Sequence, residues 1–310
     1  MSRRHDMITI LGPTASGKTA LAAAVAERHH GEVISADSRQ VYRRMDIGTG
    51  KDLQEYRRPG AQIAYHLIDI VEPGEEFNVF EYQRLFLVAY EAVRARGKLP
   101  VLCGGSGLYL DAVLSGYRLA EVPRDDRLRS ELNELSDNEL TLRLRGLREL
   151  HNTSDTSDRE RLIRAIEIAE HDQRGEGDAS APPMDSRVYG IRWDRQALRN
   201  RISERLRHRL EHGLVEEIKS LLEEGVSPQQ LDFYGLEYRL VTRYVVGDMA
   251  RNDMIQKLAT GIHQFAKRQE TWFRRMQRRG LEVHWLDGAL SHQALLEEIS
   301  TDLVSAEGAR

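Results

Sequence analysis

Cysteine is almost missing from this chain: among 310 residues only Cys103 is present. That excludes a disulfide framework and any cysteine-rich zinc site, and it fits a reducing cytosol. Long apolar runs are missing too. The first, Met7-Ile8-Thr9-Ile10-Leu11, stops too early to serve as a signal core, and no stretch approaches the length that spans a bilayer. The expectation is a soluble, cytoplasmic protein with no membrane partner. Eleven histidines show no metal-ligand spacing, so no transition-metal site is read from them. Positive charge is not in excess either: 45 Lys and Arg stand against 49 Asp and Glu, a formal net charge of −4. Taken whole, that balance does not mark a nucleic-acid binder. With 40% hydrophobic and 30% charged residues, the composition is that of an ordinary globular chain.

What is present begins with Gly12-Pro13-Thr14-Ala15-Ser16-Gly17-Lys18-Thr19. This stretch follows the apolar run and leads into an alanine-rich helical pattern from Ala20 to Arg28. Strand, glycine loop and helix in that order are the context a phosphate-binding P-loop requires. Glycine lets the backbone turn tightly, so that successive N–H groups converge on phosphate oxygens. The helix N-terminus adds a partial positive charge and Lys18 a full one, while the Thr19 hydroxyl is a ligand for phosphate-bound Mg²⁺. Residues 12–19 therefore predict a site for a diphosphate or triphosphate.

Further strands are expected at Glu32–Asp37, Tyr65–Ile70 and Leu99–Cys103, with helices over Asn78–Arg96 and from Leu108. Such alternation predicts an α/β fold of the P-loop type, a doubly wound parallel sheet covered on both faces. Ligands bind such sheets at the carboxyl ends of the strands, which puts the P-loop, Asp37, Asp69 and Ser106 along one rim. Any one of these residues alone would also serve as a turn residue. From about Arg124 the sequence becomes charged and helical. Capping boxes are read at Ser136–Glu139 and Ser157–Glu160. In the second of these helices Leu162, Ile166 and Ala169 share a face, with Arg161 and Arg164 off it and pointing outward. Gly, Ser and Pro among acidic residues from His171 to Ser186 read as a flexible linker, before a strand at Val188–Trp193. The expected organisation is a P-loop core over 1–120, a mostly α-helical insertion over 121–186, and a return to the core over 187–310.

Two basic stripes interrupt the acidic average. Seven arginines lie between Arg192 and Arg209, and Lys267, Arg268, Arg274, Arg275, Arg278 and Arg279 follow later. On charge alone, two solvated helix faces account for them more simply than a polyanion site does. The long helix from Met254 to Arg279 is expected to turn Phe265, Trp272 and Met276 to one side and its cations to the other. A last strand at Glu282–Asp287 and a short helix from Ser291 close the chain.

Taken together, several stretches carry a resemblance. Gly-Pro-Thr-Ala-Ser-Gly-Lys-Thr at 12–19, Asp-Ser-Arg-Gln-Val-Tyr at 37–42 and Asp-Ile-Gly-Thr-Gly-Lys at 46–51 come first. His-Leu-Ile-Asp at 66–69, Gly-Gly-Ser-Gly-Leu-Tyr at 104–109, Arg-Leu-Ile-Arg-Ala-Ile-Glu at 161–167 and Ala-Lys-Arg-Gln-Glu-Thr-Trp-Phe at 266–273 continue the order. Their succession resembles the tRNA dimethylallyltransferases. The resemblance implies transfer of a dimethylallyl group from dimethylallyl diphosphate to the exocyclic amine of an adenosine beside the anticodon. It further implies Mg²⁺ as cofactor, the anticodon stem-loop of tRNA as partner and a monomeric enzyme. Lys18 and Thr19 would neutralise the leaving diphosphate, Asp37 would act as general base, and Ser106 would orient the amine. Positions matching Ser38, Arg39, Gln40, Arg129, Arg161 and Arg164 would touch tRNA, and Lys267 and Arg268 join them once a polyanion is the substrate.

Three departures stand out. Ser106 replaces the usual threonine and keeps its hydroxyl. Gly235-Leu236-Glu237-Tyr238 stands where glycine-tyrosine-basic is usual, and Ile262-His263-Gln264 where threonine-arginine-glutamine is usual. The last two each remove a cation. No C-terminal zinc-finger extension is read, which fits a bacterial-type enzyme. Two alternatives stay open: a P-loop small-molecule kinase, in which Asp37 activates a hydroxyl, and a nucleotide-dependent RNA-binding protein without transfer chemistry.

Overall fold

Every strand expected from the apolar runs takes its place in one sheet. The computed structural model describes residues 5–58, 60–116, 122–147, 159–173 and 184–308. Its strands are β1 (Met7–Leu11), β2 (Gly31–Ala36), β3 (Arg57–Arg58), β4 (Ala61–Gln62), β5 (Tyr65–His66), β6 (Leu99–Gly104), β7 (Ser186–Arg192) and β8 (His284–Asp287). All but the β3–β4 hairpin form a six-stranded sheet in the order β5-β2-β6-β1-β7-β8, with every neighbouring pair parallel. The helices are α1 (Lys18–Arg28), α2 (Val79–Ala95), α3 (Gly107–Leu114), α4 (Asp126–Asn133), α5 (Asp137–Leu147) and α6 (Arg159–Gln173). After β7 come α7 (Arg195–Glu211), α8 (Leu214–Glu223), α9 (Pro228–Phe233), α10 (Leu236–Val245), α11 (Arg251–Arg278) and α12 (His292–Gly308).

Alternate side chains of β1 fill two different cores, as a strand covered on both faces must. Ile8 and Ile10 pack with Leu21 and Val25 of α1 and with Leu295 and Ile299 of α12. Met7 and Leu11 pack with Tyr82 and Phe86 of α2, Leu110 of α3, and Phe273 and Met276 of α11. A third core joins Val41, Tyr42 and Met45 to apolar residues of α7 through α11.

The strand order matters most for function. β2, β6 and β1 are neighbours, and their ends are level: Gly104 pairs with Leu11 on one side and Ala36 on the other. Gly12, Asp37 and Gly105 therefore leave the sheet side by side, at the carboxyl edge where such folds bind ligands. Gly104 has to be glycine, because a Cβ there would lie 2.1 Å from the Ala36 carbonyl oxygen.

By Cα proximity the chain divides into two compact units, Met1–Ser115 with Pro183–Arg310, and Gly116–Pro182. The second has its own small core of Leu128, Leu132, Leu140, Leu144, Leu162 and Ile166. Their spacing of four residues within each helix makes one apolar stripe per helix. The Ser136 box forms, with Ser136 N–H donating to Glu139 at 2.8 Å. Residues 157 and 158 of the second box, and most of the expected linker, lie outside the described residues.

Three expectations need correction. The third strand ends at His66 rather than Ile70, because Leu67 and Asp69 adopt φ of 62° and 56°, which no strand sustains. The linker does not begin at His171, since α6 continues to Gln173. The buried stripe of α11 is Met254, Leu258, Ile262, Ala266, Gln269, Phe273 and Met276, leaving Phe265 40% exposed beside Arg268.

Candidate active site

The P-loop is drawn in from three sides. A Cβ on Gly12 would meet Ser16 Oγ at 2.6 Å, and Gly17 sits at φ 89°, so both glycines are needed for the turn. Ala15 occupies the left-handed region at φ 63°, where a non-glycine residue costs about 1 kcal/mol. Its carbonyl is held by Arg201 Nε at 2.9 Å, and Trp193 Nε1 donates to the Ser16 carbonyl at 3.1 Å. Arg201 in turn lies over the Trp193 ring, 4.2 Å from its centroid. Within the loop Ser16 Oγ is buried without a hydrogen-bond partner. An orphaned hydroxyl inside a nest of backbone N–H groups fits a phosphate oxygen.

Lys18, Asp37 and Ser106 meet at this rim. Lys18 Nζ reaches back to the Pro13 carbonyl at 3.3 Å, and its pKa is lowered, chiefly by desolvation. The Asp37 carboxylate opposes that shift, so the two groups act on one another. Asp37 Oδ1 accepts the Arg39 N–H at 3.0 Å in a two-residue turn. Its Oδ2 has no hydrogen-bond partner among the described residues. Ser106 Oγ accepts the Ser38 N–H at 2.9 Å and lies 3.3 Å from Ser38 Oγ, tying the loop after β6 to the loop after β2.

Several residues of this site are given no role by the motif reading, although Gln269 and Lys51 lie inside stretches quoted for the resemblance. Gln269 is 6% exposed; its Oε1 accepts the Thr14 N–H at 2.8 Å and its Nε2 donates to the Gly105 carbonyl at 2.9 Å. One amide thus clamps the P-loop to the glycine loop after β6. Lys51 is fully buried, donating to the Tyr42 carbonyl at 2.8 Å and to the carboxylates of Asp46 and Asp69. Asp69 therefore braces the 46–51 loop instead of facing a ligand. Arg205 of α7 places Nη1 3.3 Å from Thr14 Oγ1 and pairs with Asp52 at 2.5 Å. Part of the first basic stripe is turned inward on the P-loop, and its signal was the four-residue spacing of Arg201, Arg205 and Arg209.

The residues expected to touch tRNA divide between buried and exposed positions. The Gln40 side chain accepts from Ser35 Oγ at 3.1 Å and donates to the Gly50 carbonyl at 3.0 Å, both buried. Arg39 lies over the Phe233 ring at 5.5 Å. In the Gly116–Pro182 unit, Arg129 makes a two-pronged pair with Glu167 at 2.8 Å, and Arg164 reaches Glu167 at 3.1 Å and the Val122 carbonyl at 2.7 Å. Arg164 is thus engaged rather than free. Glu167 is only 1% exposed, and hydrogen bonds from both arginines outweigh its burial to hold the carboxyl below its usual pKa. Lys267 and Arg268 are exposed on α11.

Among the described residues no group of three His, Cys, Asp or Glu side chains is arranged to hold a metal. The donor set suits Mg²⁺ nonetheless, because that ion takes one or two protein oxygens and fills its shell with phosphate and water. Thr19, the second residue of α1, carries the hydroxyl that the sequence offers to such an ion. Among the described residues no helix is long and apolar enough to cross a membrane.

Known proteins resemble this chain over most of its length. A family model described as IPP transferase matches residues 40–276, and one described as isopentenyl transferase matches residues 5–61. The chain is 56% identical to tRNA dimethylallyltransferase 2 of Syntrophotalea carbinolica, over 92% of this chain and 95% of that protein. It is 52% identical to tRNA dimethylallyltransferase 2 of Phocaeicola vulgatus, over 96% of this chain and 97% of that one. The crystal structure of a tRNA isopentenylpyrophosphate transferase from Bacillus halodurans is similar, with a TM-score of 0.70 at 30% identity, covering 97% of this chain and 96% of that one. A eukaryotic dimethylallyltransferase acting on tRNA shares the fold, with a TM-score of 0.72 at 22% identity over 97% of this chain and 79% of its own.

Proposed function

The chain belongs to the IPP transferase family, and from that premise we propose how its site works. It transfers a dimethylallyl group from dimethylallyl diphosphate to tRNA. The acceptor is the exocyclic N6 amine of the adenosine on the 3′ side of the anticodon, and diphosphate is released. The kinase alternative finds no support among these relatives.

The observation that carries the reading is the level exit of three loops from adjoining strands. It sets a phosphate cradle beside a carboxylate and a hydroxyl. The P-loop N–H groups, Ser16 Oγ, Lys18 and Arg205 hold the diphosphate, and Gln269 keeps the loop facing the acceptor side. As the amine nitrogen bonds to the first carbon of the prenyl group, the carbon–oxygen bond to diphosphate breaks. Lys18 and Arg205 stabilise the charge that gathers on the leaving oxygens. The attacking amine carries a surplus proton, which passes to Asp37 Oδ2. Ser106, fixed by Ser38, orients the amine. When bound, Mg²⁺ adds further charge neutralisation on the diphosphate, held on the protein side by Thr19. Reaching an adenine in a stacked loop requires its extrusion, so cations must grip the backbone around it. We assign that grip to Arg39, Lys267 and Arg268, with Ser38 and Gln40 at the entrance, and separate tRNA contacts within the Gly116–Pro182 unit to Arg129, Arg161 and Arg164, the first and last of which keep Glu167 as partner. The enzyme acts in the cytoplasm.

Incubating the full chain with bulk tRNA and radiolabelled dimethylallyl diphosphate, and separately with γ-labelled ATP, tests the function. Label is expected in tRNA nucleoside from the prenyl donor alone. Phosphoryl label on an acceptor, or no prenyl label in tRNA, would overturn the reading.

A further inference from the structure

Three arginines of α7 follow one another at four-residue intervals, and two are accounted for: Arg201 holds the Ala15 carbonyl and Arg205 reaches Thr14. The third, Arg209, is not. Its side chain is 12% exposed, its Nη2 is buried with no hydrogen-bond partner, and its Nη1 lies 3.8 Å from Glu237. That is too far for a hydrogen bond. Gly50 shows how close the two guanidinium groups stand. A Cβ there would be 1.8 Å from Arg209 Nη2 and 2.5 Å from Arg205 Nη2. The loop carrying Gly50 is seated firmly, since Glu217 accepts the N–H groups of Asp46, Ile47 and Gly48 at 2.8, 2.7 and 3.0 Å. Burial, then repulsion from Arg205, brings the Arg209 pKa down to about 10, while burial raises that of Glu237. Two like charges side by side, one with an unfilled and buried N–H, form an arrangement that an anion with several oxygens would complete.

We propose that Arg209 is a second guanidinium for the leaving diphosphate, closing on its oxygens beside Arg205 while Glu237 holds the side chain in position. The proposal rests on the transferase reading above. Arg205 places the pair next to Thr14 of the P-loop, so the anion within reach is the one the loop binds. A planar, forked donor suits a phosphate oxygen pair better than an ammonium does. The arrangement also explains the acidic residue near the start of α10. Glu237 stands where the resembled family has a basic residue, and here the cation comes from α7 instead, with Glu237 as its partner. A charge has been relocated between two helices of the same core, not lost.

The test measures binding of inorganic diphosphate to the full chain by calorimetry at fixed salt. Arg209→Met combined with Glu237→Gln removes the pair without leaving a charge buried alone. It is expected to weaken binding by about tenfold or more, with tRNA affinity unchanged. Arg209→Met combined with Glu237→Arg returns the cation to α10 and is expected to recover most of that loss. Wild-type affinity in the first double variant would overturn the proposal, as would equal loss in both, which would make the pair structural. Should the first variant unfold, Arg209→Lys decides: a drop of about threefold is expected, and an unchanged constant refutes the role. Lys18→Ala runs alongside. If it loses diphosphate while the Arg209 variants keep it, the transferase site stands and this inference falls. A wild-type chain that does not bind diphosphate at all would overturn both.

Discussion

Asp37 leaves β2 one residue past Ala36, and the Arg39 N–H braces one of its oxygens while the other has no hydrogen-bond partner among the described residues. Asparagine at this position keeps the shape and the turn but takes no proton at neutral pH. Asp37→Asn is therefore expected to slow single-turnover transfer by roughly a hundred- to ten-thousand-fold. Both substrates should still bind in separate titrations. Near-normal rates would leave Asp37 a positioning residue, and joint loss of rate and binding would make it structural. Lys18, Asp37 and Ser106 were legible because each belongs to a short motif directly after a strand. Gln269 stands in the quoted stretch at 266–273, but its role was not legible: its partner Thr14 is 255 residues away, and its spacing alone does not show that it turns inward while Lys267 and Arg268 do not. Lys51 hid in the same way, since a buried lysine is recognised only by the carboxylates the fold brings to it.

Helices are legible in existence more than in orientation. The apolar stripe of α11 was expected through Phe265, Trp272 and Met276, yet burial follows Ile262, Ala266, Gln269, Phe273 and Met276, so only the last of the three lies on it. Over 28 residues the large aromatic groups dominate the apolar signal, while the small and polar members of the stripe, Ala266 and Gln269, are the ones that turn inward. The stripes of charge also parted ways. Arg201 and Arg205 of α7 turn inward on the P-loop and Arg209 is largely buried beside Gly50, whereas Lys267 and Arg268 stay in solvent. Charge counting cannot separate these outcomes, but spacing relative to the apolar residues can. For the exposed pair, Lys267→Ala with Arg268→Ala should weaken tRNA binding and flatten its dependence on log salt by about one unit for each phosphate the two cations neutralise. Donor affinity should stay as it is. An unchanged salt slope would return both residues to an ordinary solvated face.

At the scale of the molecule, the parallel α/β sheet was legible from the alternation of strands and helices, because both faces of each strand had to be apolar. The order of strands was not, since β6 enters between β2 and β1 and no local pattern encodes that choice. The same insertion decides the fate of the lone cysteine. Cys103 pairs in register with Ile10 on one side and Ser35 on the other, is 5% exposed, and burial pushes its thiol up to about 12. Its side chain lies in the core between the sheet and α1, so it can be reached only when that core opens. Thiol labelling of the native chain should therefore run at least about a thousandfold slower than that of an unstructured peptide, and accelerate with denaturant in step with the loss of helical signal. Saturating diphosphate should slow it again by mass action. Labelling at the free-thiol rate would mean that the core under α1 opens without global unfolding. With one sulfhydryl, on the strand that lies between β1 and β2, the chain carries its own clock for how often this part of the core comes undone.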